Sequence, residues 1–428
     1  MIMKKKTILL LTLLLAAFWA GRAQDTLRMM QYNLMYYTNN SGVSDCNATT
    51  NNLDQKDANL RTIFEYVMPD VFCVNEIGSN VTYADRILDN VINTNGRDYY
   101  RHGPLTNYSG GYIANMIFYD SRKLTLHSNT FITTSYRDIN GYTMYYNSPD
   151  LASGDTVFIT FWVAHLKAGN YDDNISARLV QTQRLMNRIA TSGAPGNYVL
   201  SGDLNLYGAE EPSYQELINY SNSLYRFYDP IDREGHWNNN SMFADIHTQS
   251  THSNSTDCFS SGGMDDRFDL ILVSPYIFYG SQNVQVLPET YHALGQDGNR
   301  FNGSIISPQN NLIPNNVAQA LYNQSDHLPV IAEFAIDATV GIAERTNDFL
   351  CKVVNPVRDN LDIYLHGIQP DQYTIEILSI DGKCLATYRE TLSEGGQRLS
   401  LPFPFQPGMY LLRLSNSKHQ EQISKLVK

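Results

Sequence analysis

The chain has 428 residues, 43% of them hydrophobic and only 17% charged, with a formal net charge of −12. That length calls for one large domain or two unequal ones, each able to bury a core, and the composition excludes a disordered or membrane-embedded protein. The acidic balance excludes a general basic field able to hold duplex nucleic acid over a broad surface, although a carboxylate-rich metal site would itself add to that balance.

Read in chain order, Lys4-Lys5-Lys6 precede an apolar run over 8–19 and then Gly21-Arg22-Ala23, the pattern of a signal peptide over 1–23 cleaved after Ala23. The alternative is an N-terminal anchor, but the run is shorter than the ~20 residues a span needs, and no later segment suits a span. Strand character follows at 29–32. Leu60, Ile63, Phe64 and Val67 predict a helix with one apolar face that Pro69 ends, and residues 71–74 predict a strand running into Asn75-Glu76. Further strands are predicted at 116–119, 157–163, 198–200, 270–273 and 330–334. Between them Ile175, Leu179, Thr182, Met186 and Ile189 predict a second helix, capped by Asp173 or Asn174. Several strands are apolar on both faces, so the expected fold is a four-layer α/β sandwich over 24–338, two stacked mixed sheets flanked by helices.

Two polar stretches, 220–264 and 280–325, are expected to be surface loops, either bordering a site or mere decoration. A linker is expected at 339–347. After it, alternating runs divided by Gly, Pro and Asp predict a small all-β sandwich over 348–428, with a hairpin turn at Asp381-Gly382 and no cluster suited to chemistry. The five cysteines show no zinc-binding spacing; Cys73 is expected in the core, and Cys46 with Cys258 or Cys351 with Cys384 are conceivable bridges.

Carboxylates, amides and histidines recur at predicted strand ends, where a sheet presents side chains together at one rim. Glu76 ends one strand, Asp203 and Asn205 follow another, and Asp326-His327 precede the last strand of the large domain. Taken singly, Glu76 reads as a solvated strand end, Asp203-Leu204-Asn205 after Gly202 as a turn, Asp269 as a partner of Arg267, and His165 or His327 as a structural histidine. Together they suit phosphate-ester hydrolysis, which needs a cation, a group that activates water and donors for the phosphoryl oxygens. Hard oxygen ligands favour Mg²⁺, with Mn²⁺ or Ca²⁺ as alternatives, over zinc.

Six segments carry a resemblance: Gln31-Tyr32-Asn33-Leu34, Pro69 through Glu76, Ala164-His165-Leu166-Lys167-Ala168, Ser201-Gly202-Asp203-Leu204-Asn205, Asp266 through Leu272, and Ser325-Asp326-His327-Leu328-Pro329. In this order they resemble the endonuclease/exonuclease/phosphatase family of metal-dependent phosphoesterases. The resemblance implies that Glu76 ligates the metal, with Asn33 and Asp326 in or beside its shell. It implies that Asp203 orients or deprotonates the attacking water and that Asn205 positions the nucleophile and binds phosphate. His327, held by Asp269, and His165 would donate to the phosphate. Asn115 and Trp237 are expected to contact substrate, and Trp237, Phe243, His247, His292 and Phe301 offer rings that could stack on bases or touch lipid. The expected activity is hydrolysis of DNA or RNA by a monomer. The alternatives are a phosphatase or sphingomyelinase-like enzyme acting on lipid head groups, and a non-catalytic surface binding protein, which would require a lost catalytic position.

In the tail, Asn355 through Leu361, Gly382-Lys383, Pro407 through Leu414 and Lys425-Leu426-Val427-Lys428 resemble the C-terminal sorting domains of the type IX secretion route. That resemblance implies passage through the periplasm and across the outer membrane, with the type IX machinery as a partner, and release or surface attachment. A β-rich binding module is the competing reading.

Overall fold

The computed structural model describes residues 25–39, 41–148, 151, 156–191, 195–254, 258–337, 349–353, 357–380, 382–393, 395–418 and 420–428. The leader expected at 1–23 and the linker expected at 339–347 lie outside them.

β1 (Asp25–Tyr37) buries side chains on both faces. α1 (Leu53–Val67) turns Leu60, Ile63, Phe64 and Val67 inward. Asn52 caps it by accepting the Gln55 N–H, and Met68, left-handed, ends it before Pro69. β2 (Val71–Gly78), α2 (Val81–Ile87), β3 (Tyr100–His102) and β4 (Ile113–Asp120) follow. Next come β5 (Leu124–Ile132), β6 (Ile139–Tyr146), β7 (Phe158–His165), α3 (Asp172–Thr191), β8 (Tyr198–Asp203) and α4 (Pro212–Ile218). β9 (Asp269–Val273), α5 (Pro275–Tyr279), β10 (Val284–Ala293), α6 (Asn315–Gln324) and β11 (Val330–Ile336) complete this part.

The strands form a six-stranded sheet, β10-β11-β1-β2-β4-β3, and a five-stranded sheet, β5-β6-β7-β8-β9. Each is mixed: β1 runs parallel to β2, β7 parallel to β8, and the other pairs are antiparallel. Met29, Val71, Cys73 and Ile117 of the first sheet meet Met144, Phe161, Val199 and Ile271 of the second in one core. The outer face of the first sheet packs on α1 and α6 through Phe64, Phe72 and Leu321, and that of the second packs on α3 and α4 through Trp162, Leu185 and Leu217. The architecture is therefore helix, sheet, sheet, helix, because strands apolar on both faces must be covered on both.

Two expectations need correction. α3 begins at Asp172, so Asp173 and Asn174 lie within its first turn instead of capping it. The stretch 280–325 is not one loop: it holds β10 and α6, whose Val286 and Leu321 are buried. Cys46 and Cys258 form a disulfide, whereas Cys351 and Cys384 are free thiols, the first buried and the second exposed. Cys73 is buried.

The tail contains β12 (Leu350–Val353), β13 (Asn360–Ile368), β14 (Asp371–Ser379), β15 (Cys384–Leu392), β16 (Gly395–Pro402), β17 (Met409–Ser415) and β18 (Glu421–Val427). They form antiparallel sheets β12-β13-β16 and β15-β14-β17-β18 around Ile363, Leu365, Tyr373, Ile375 and Leu412. At the turn expected at Asp381-Gly382, Asp381 lies outside the described residues, and the Gly382 N–H donates to Ser379 O. His366 of β13 hydrogen-bonds through Nδ1 with Tyr228 Oη at 2.9 Å and stacks on Tyr279, joining the tail to the larger part.

Candidate active site

The strand register brings the polar strand ends to one rim. β7 and β8 run side by side with His165 opposite Asp203, and antiparallel β9 starts with Asp269 opposite Asp203. In the other sheet, Asn33 of β1 lies opposite Asn75 of β2, and β11 enters antiparallel to β1 just after Asp326-His327. The approach is tight at Gly202, where φ is +151° and a Cβ would sit 1.7 Å from the Ala164 carbonyl oxygen. Glu76 and Asn205 are held at φ 60° and 51°, left-handed conformations that non-glycine residues adopt at a cost and that cluster at functional sites.

Hydrogen bonds join the two sheets across this rim. Asn33 Nδ2 donates to Asp203 Oδ2 at 2.9 Å and to Glu76 Oε1 at 3.2 Å, and lies 3.4 Å from His327 Nε2. Asp269 Oδ2 accepts from His327 Nδ1 at 2.6 Å, and Gln249 Nε2 is 2.7 Å from His327 Nε2 and 3.2 Å from Asp326 Oδ2. The Asn205 N–H donates to Asp203 Oδ1, and the Tyr36 N–H to Glu76 Oε2. His165 Nε2 lies 3.4 Å from Asp203 and 3.9 Å from Glu76. Behind them, Asn75 Oδ1 accepts from the Asp203 N–H and from Gln31, and its amide donates to Ala164 O and Asn115.

The electrostatics follow from crowding acids in a dry place. Burial raises the Asp203 carboxyl to about 7; His327 opposes this, and Asp269 and Glu76 add to it. Glu76 is raised by burial and by Asp326. Burial works against protonated His327, but the Asp269 and Asp203 carboxylates outweigh it and hold its pKa well above the usual imidazole range. His165 goes the other way, lowered by burial and by Arg137, His327 and Lys167, so it is neutral at pH 7.

Glu76, His165 and Asp203 each offer a ligand atom, all within 4.8 Å of one another. Buried Asp203 and partly buried Glu76, whose ionisation is opposed by burial and by other acids, fit a divalent cation, whose charge would favour their ionised forms. His165 Nδ1 has no hydrogen-bond partner among the described residues.

Asn33, Glu76, His165, Asp203, Asn205, Asp269, Asp326 and His327 thus converge. Asn115 and Trp237 do not reach the same space. Asn115 is fully buried, with its amide on Asp138 O, Asn140 and Val163 O, and it touches the centre only through Asn75. Trp237 is fully buried against Tyr214 and Arg267, its indole N–H donating to Arg233 O, so it offers no ring face to a ligand. His247 is equally buried between Trp237 O and Met264 O.

The sequence did not single out three groups that shape the site. The Arg137 guanidinium donates to His165 O and Leu166 O, and Gln249 bridges Asp326 to His327. Lys56 is buried and donates to Leu34 O, Met35 O and Gln324 O, tying the segment after Asn33 to the end of α6 before Asp326; burial lowers its pKa to about 7. A lysine inside the apolar stripe of α1 was a visible signal for the last of these.

No curated protein is similar to the chain in sequence. Among solved structures it is similar to an endonuclease/exonuclease/phosphatase from Beutenbergia cavernae, with 14% identity over 94% of this chain and 100% of that one and a TM-score of 0.41. It is likewise similar to an endonuclease/exonuclease/phosphatase family protein from Bacteroides thetaiotaomicron, with 14% identity, 73% and 96% of the two chains covered, and a TM-score of 0.44. The human Nocturnin catalytic domain with bound sulfate gives 15% identity, 73% and 98% coverage, and a TM-score of 0.42. At these identities and scores the likeness carries no argument about activity. No helix among the described residues is long and apolar enough to cross a membrane. Residues 355–428 match the family model of the secretion system C-terminal sorting domain, so the chain carries an export tail and is destined for the cell surface or secretion.

Proposed function

We propose that the chain is an exported, divalent-cation-dependent phosphodiester hydrolase acting on polynucleotides. The observation that carries this reading is the pairing of His327 Nδ1 with Asp269 at 2.6 Å beside the Glu76, His165 and Asp203 cluster, in one rim fed by both sheets. In this reading Glu76 is a metal ligand, with Asn33 and Asp326 in or beside the shell, and Mg²⁺, Mn²⁺ or Ca²⁺ suits these oxygen donors. Bound there, the cation offsets charge on a phosphodiester oxygen.

The chain's own groups divide the remaining work. Ionised Asp203 accepts a proton from the attacking water, and Asn205, whose N–H donates to Asp203 Oδ1, orients that water and the phosphate. Asp269 fixes the ring of His327 and stabilises its protonated form, so that Nε2 donates to a phosphoryl oxygen. Neutral His165 supplies a second donor from Nε2. Asn75 and Arg137 hold the backbone under Asp203 and His165. The water oxygen bonds to phosphorus as the ester P–O bond breaks; one proton of the water goes to Asp203, and the alkoxide leaves and takes a proton from solvent water.

The test offers plasmid DNA, RNA and sphingomyelin side by side with Mg²⁺. Cleavage of either polynucleotide supports the reading; turnover of sphingomyelin alone would replace it with a lipid-head-group hydrolase, and turnover of none would favour a binding protein.

A further inference from the structure

The exposed aromatic rings lie away from the loops that hold Trp237. Tyr108 is 70% exposed and stacks face to face on Phe131, with centroids 4.3 Å apart and planes at 17°. Its loop is fixed in advance: buried Asp138 accepts the N–H groups of Tyr108 and Ser109, each at 2.8 Å, and the Ser109 hydroxyl at 2.6 Å. Phe131 lies at the end of edge strand β5, where Ile132 pairs with Ile139 and Asn140 pairs with Val163, two residues before His165. The β5–β6 turn therefore stands at the same rim as the catalytic cluster.

Positive charge gathers at this turn in an otherwise acidic chain. Arg184 of α3 donates to Thr133 O and Arg188 to Thr130 Oγ1, and both are exposed. Lys167, just past His165, sits over the Tyr136 ring. α3 carries no carboxylate after Asp173, so nothing on that helix neutralises the two arginines.

We propose that the β5–β6 turn and the adjoining flank of α3 dock single-stranded polynucleotide, a base stacking on the free face of Tyr108 while phosphates pass Arg184, Arg188 and Lys167. The proposal rests on the nuclease reading and narrows it. Duplex binders commonly neutralise six to ten phosphates, more than these three cations supply, and paired bases keep their faces stacked on one another.

The experiment compares wild type with Tyr108→Ala, Tyr108→Phe and the double variant Arg184→Gln with Arg188→Gln. The probes are a fluorescein-labelled oligothymidylate, a hairpin duplex and bis(p-nitrophenyl) phosphate. Tyr108→Ala is expected to raise KM for the oligonucleotide about tenfold with kcat unchanged, and Tyr108→Phe to restore it. The double variant is expected to lower the slope of log affinity against log salt by about 1.4, at ~0.7 per lost single-strand phosphate contact. Turnover of the small diester stays at wild-type level throughout. Unchanged oligonucleotide KM in both variants, equal competition by the duplex, or loss of binding to phosphatidylcholine–sphingomyelin vesicles instead of the strand would overturn the proposal. A wild-type protein that hydrolyses the small diester but no polynucleotide would sink the nuclease reading separately; anisotropy of the labelled strand still reads this surface.

Discussion

The rim of the stacked sheets and the C-terminal sandwich treat buried polar groups in opposite ways. In the tail, β13 and β14 alternate buried Ile363, Leu365, Ile375 and Ile377 with more exposed polar residues, and His366 is its one fully buried polar side chain among the described residues. At the rim, Asn33, Asn75, His165, Asp203, Asp269 and His327 are all buried within a single network. Burying charge costs several kcal/mol unless it is paired. Such costs gather at the rim and are nearly absent from the tail, so substitutions should separate the two regions sharply.

The largest separation is expected from His327→Ala or Asp269→Asn, which should lower kcat on a phosphodiester by roughly a hundred- to ten-thousand-fold. The counterpart in the tail, Arg398→Ala, should leave kcat unchanged. Next in size is the disulfide. Replacing Cys46 and Cys258 with Ser opens a link between residues 212 apart in sequence and should cost about 2–4 kcal/mol in urea unfolding. Asn75→Ala strands the Asp203 N–H, Gln31 and Ala164 O, and should cost about 1–3 kcal/mol while lowering kcat.

A pH series on metal-free protein sharpens the contrast further. Asp203 is raised from 3.8 to about 7, so between those values the folded state holds a proton that the unfolded state has released. Stability should therefore fall as pH rises through that window, and raised His327 acts in the same direction at higher pH. Melting temperatures should show this decline without metal, and saturating Mg²⁺ should flatten it. Smallest of all is the stability effect of Arg398→Ala, which removes the pair of an exposed guanidinium with half-buried Asp362 and should stay within about 1 kcal/mol.

Much of this was legible because strand ends leave a local signature. Apolar runs such as 71–74 and 198–200 stop at Glu76 and Asp203, and the runs themselves demanded two covered sheets. β5 and β10 escaped because they are edge strands with polar residues facing solvent, and β6 because buried Asn140 and its tyrosines break up the apolar run. Trp237 misled because an aromatic in a polar loop looks like a surface ring, whereas the loop folds back and Tyr214 and Arg267 enclose it. Arg137 and Gln249 carry no local pattern; only the tertiary approach of their segments to His165 and His327 gives them a role. The docking rings were missed for the same reason, since Tyr108 and Phe131 meet only when the β5–β6 turn stands beside the loop before β4.

The most direct test of the account is an anomalous-difference map from crystals soaked in Mn²⁺, read alongside hydrolysis with and without EDTA. The account predicts a single strong peak within about 2.2 Å of a Glu76 oxygen, and activity that EDTA abolishes and Mg²⁺ restores. Full hydrolysis in EDTA with no peak at that rim would contradict it.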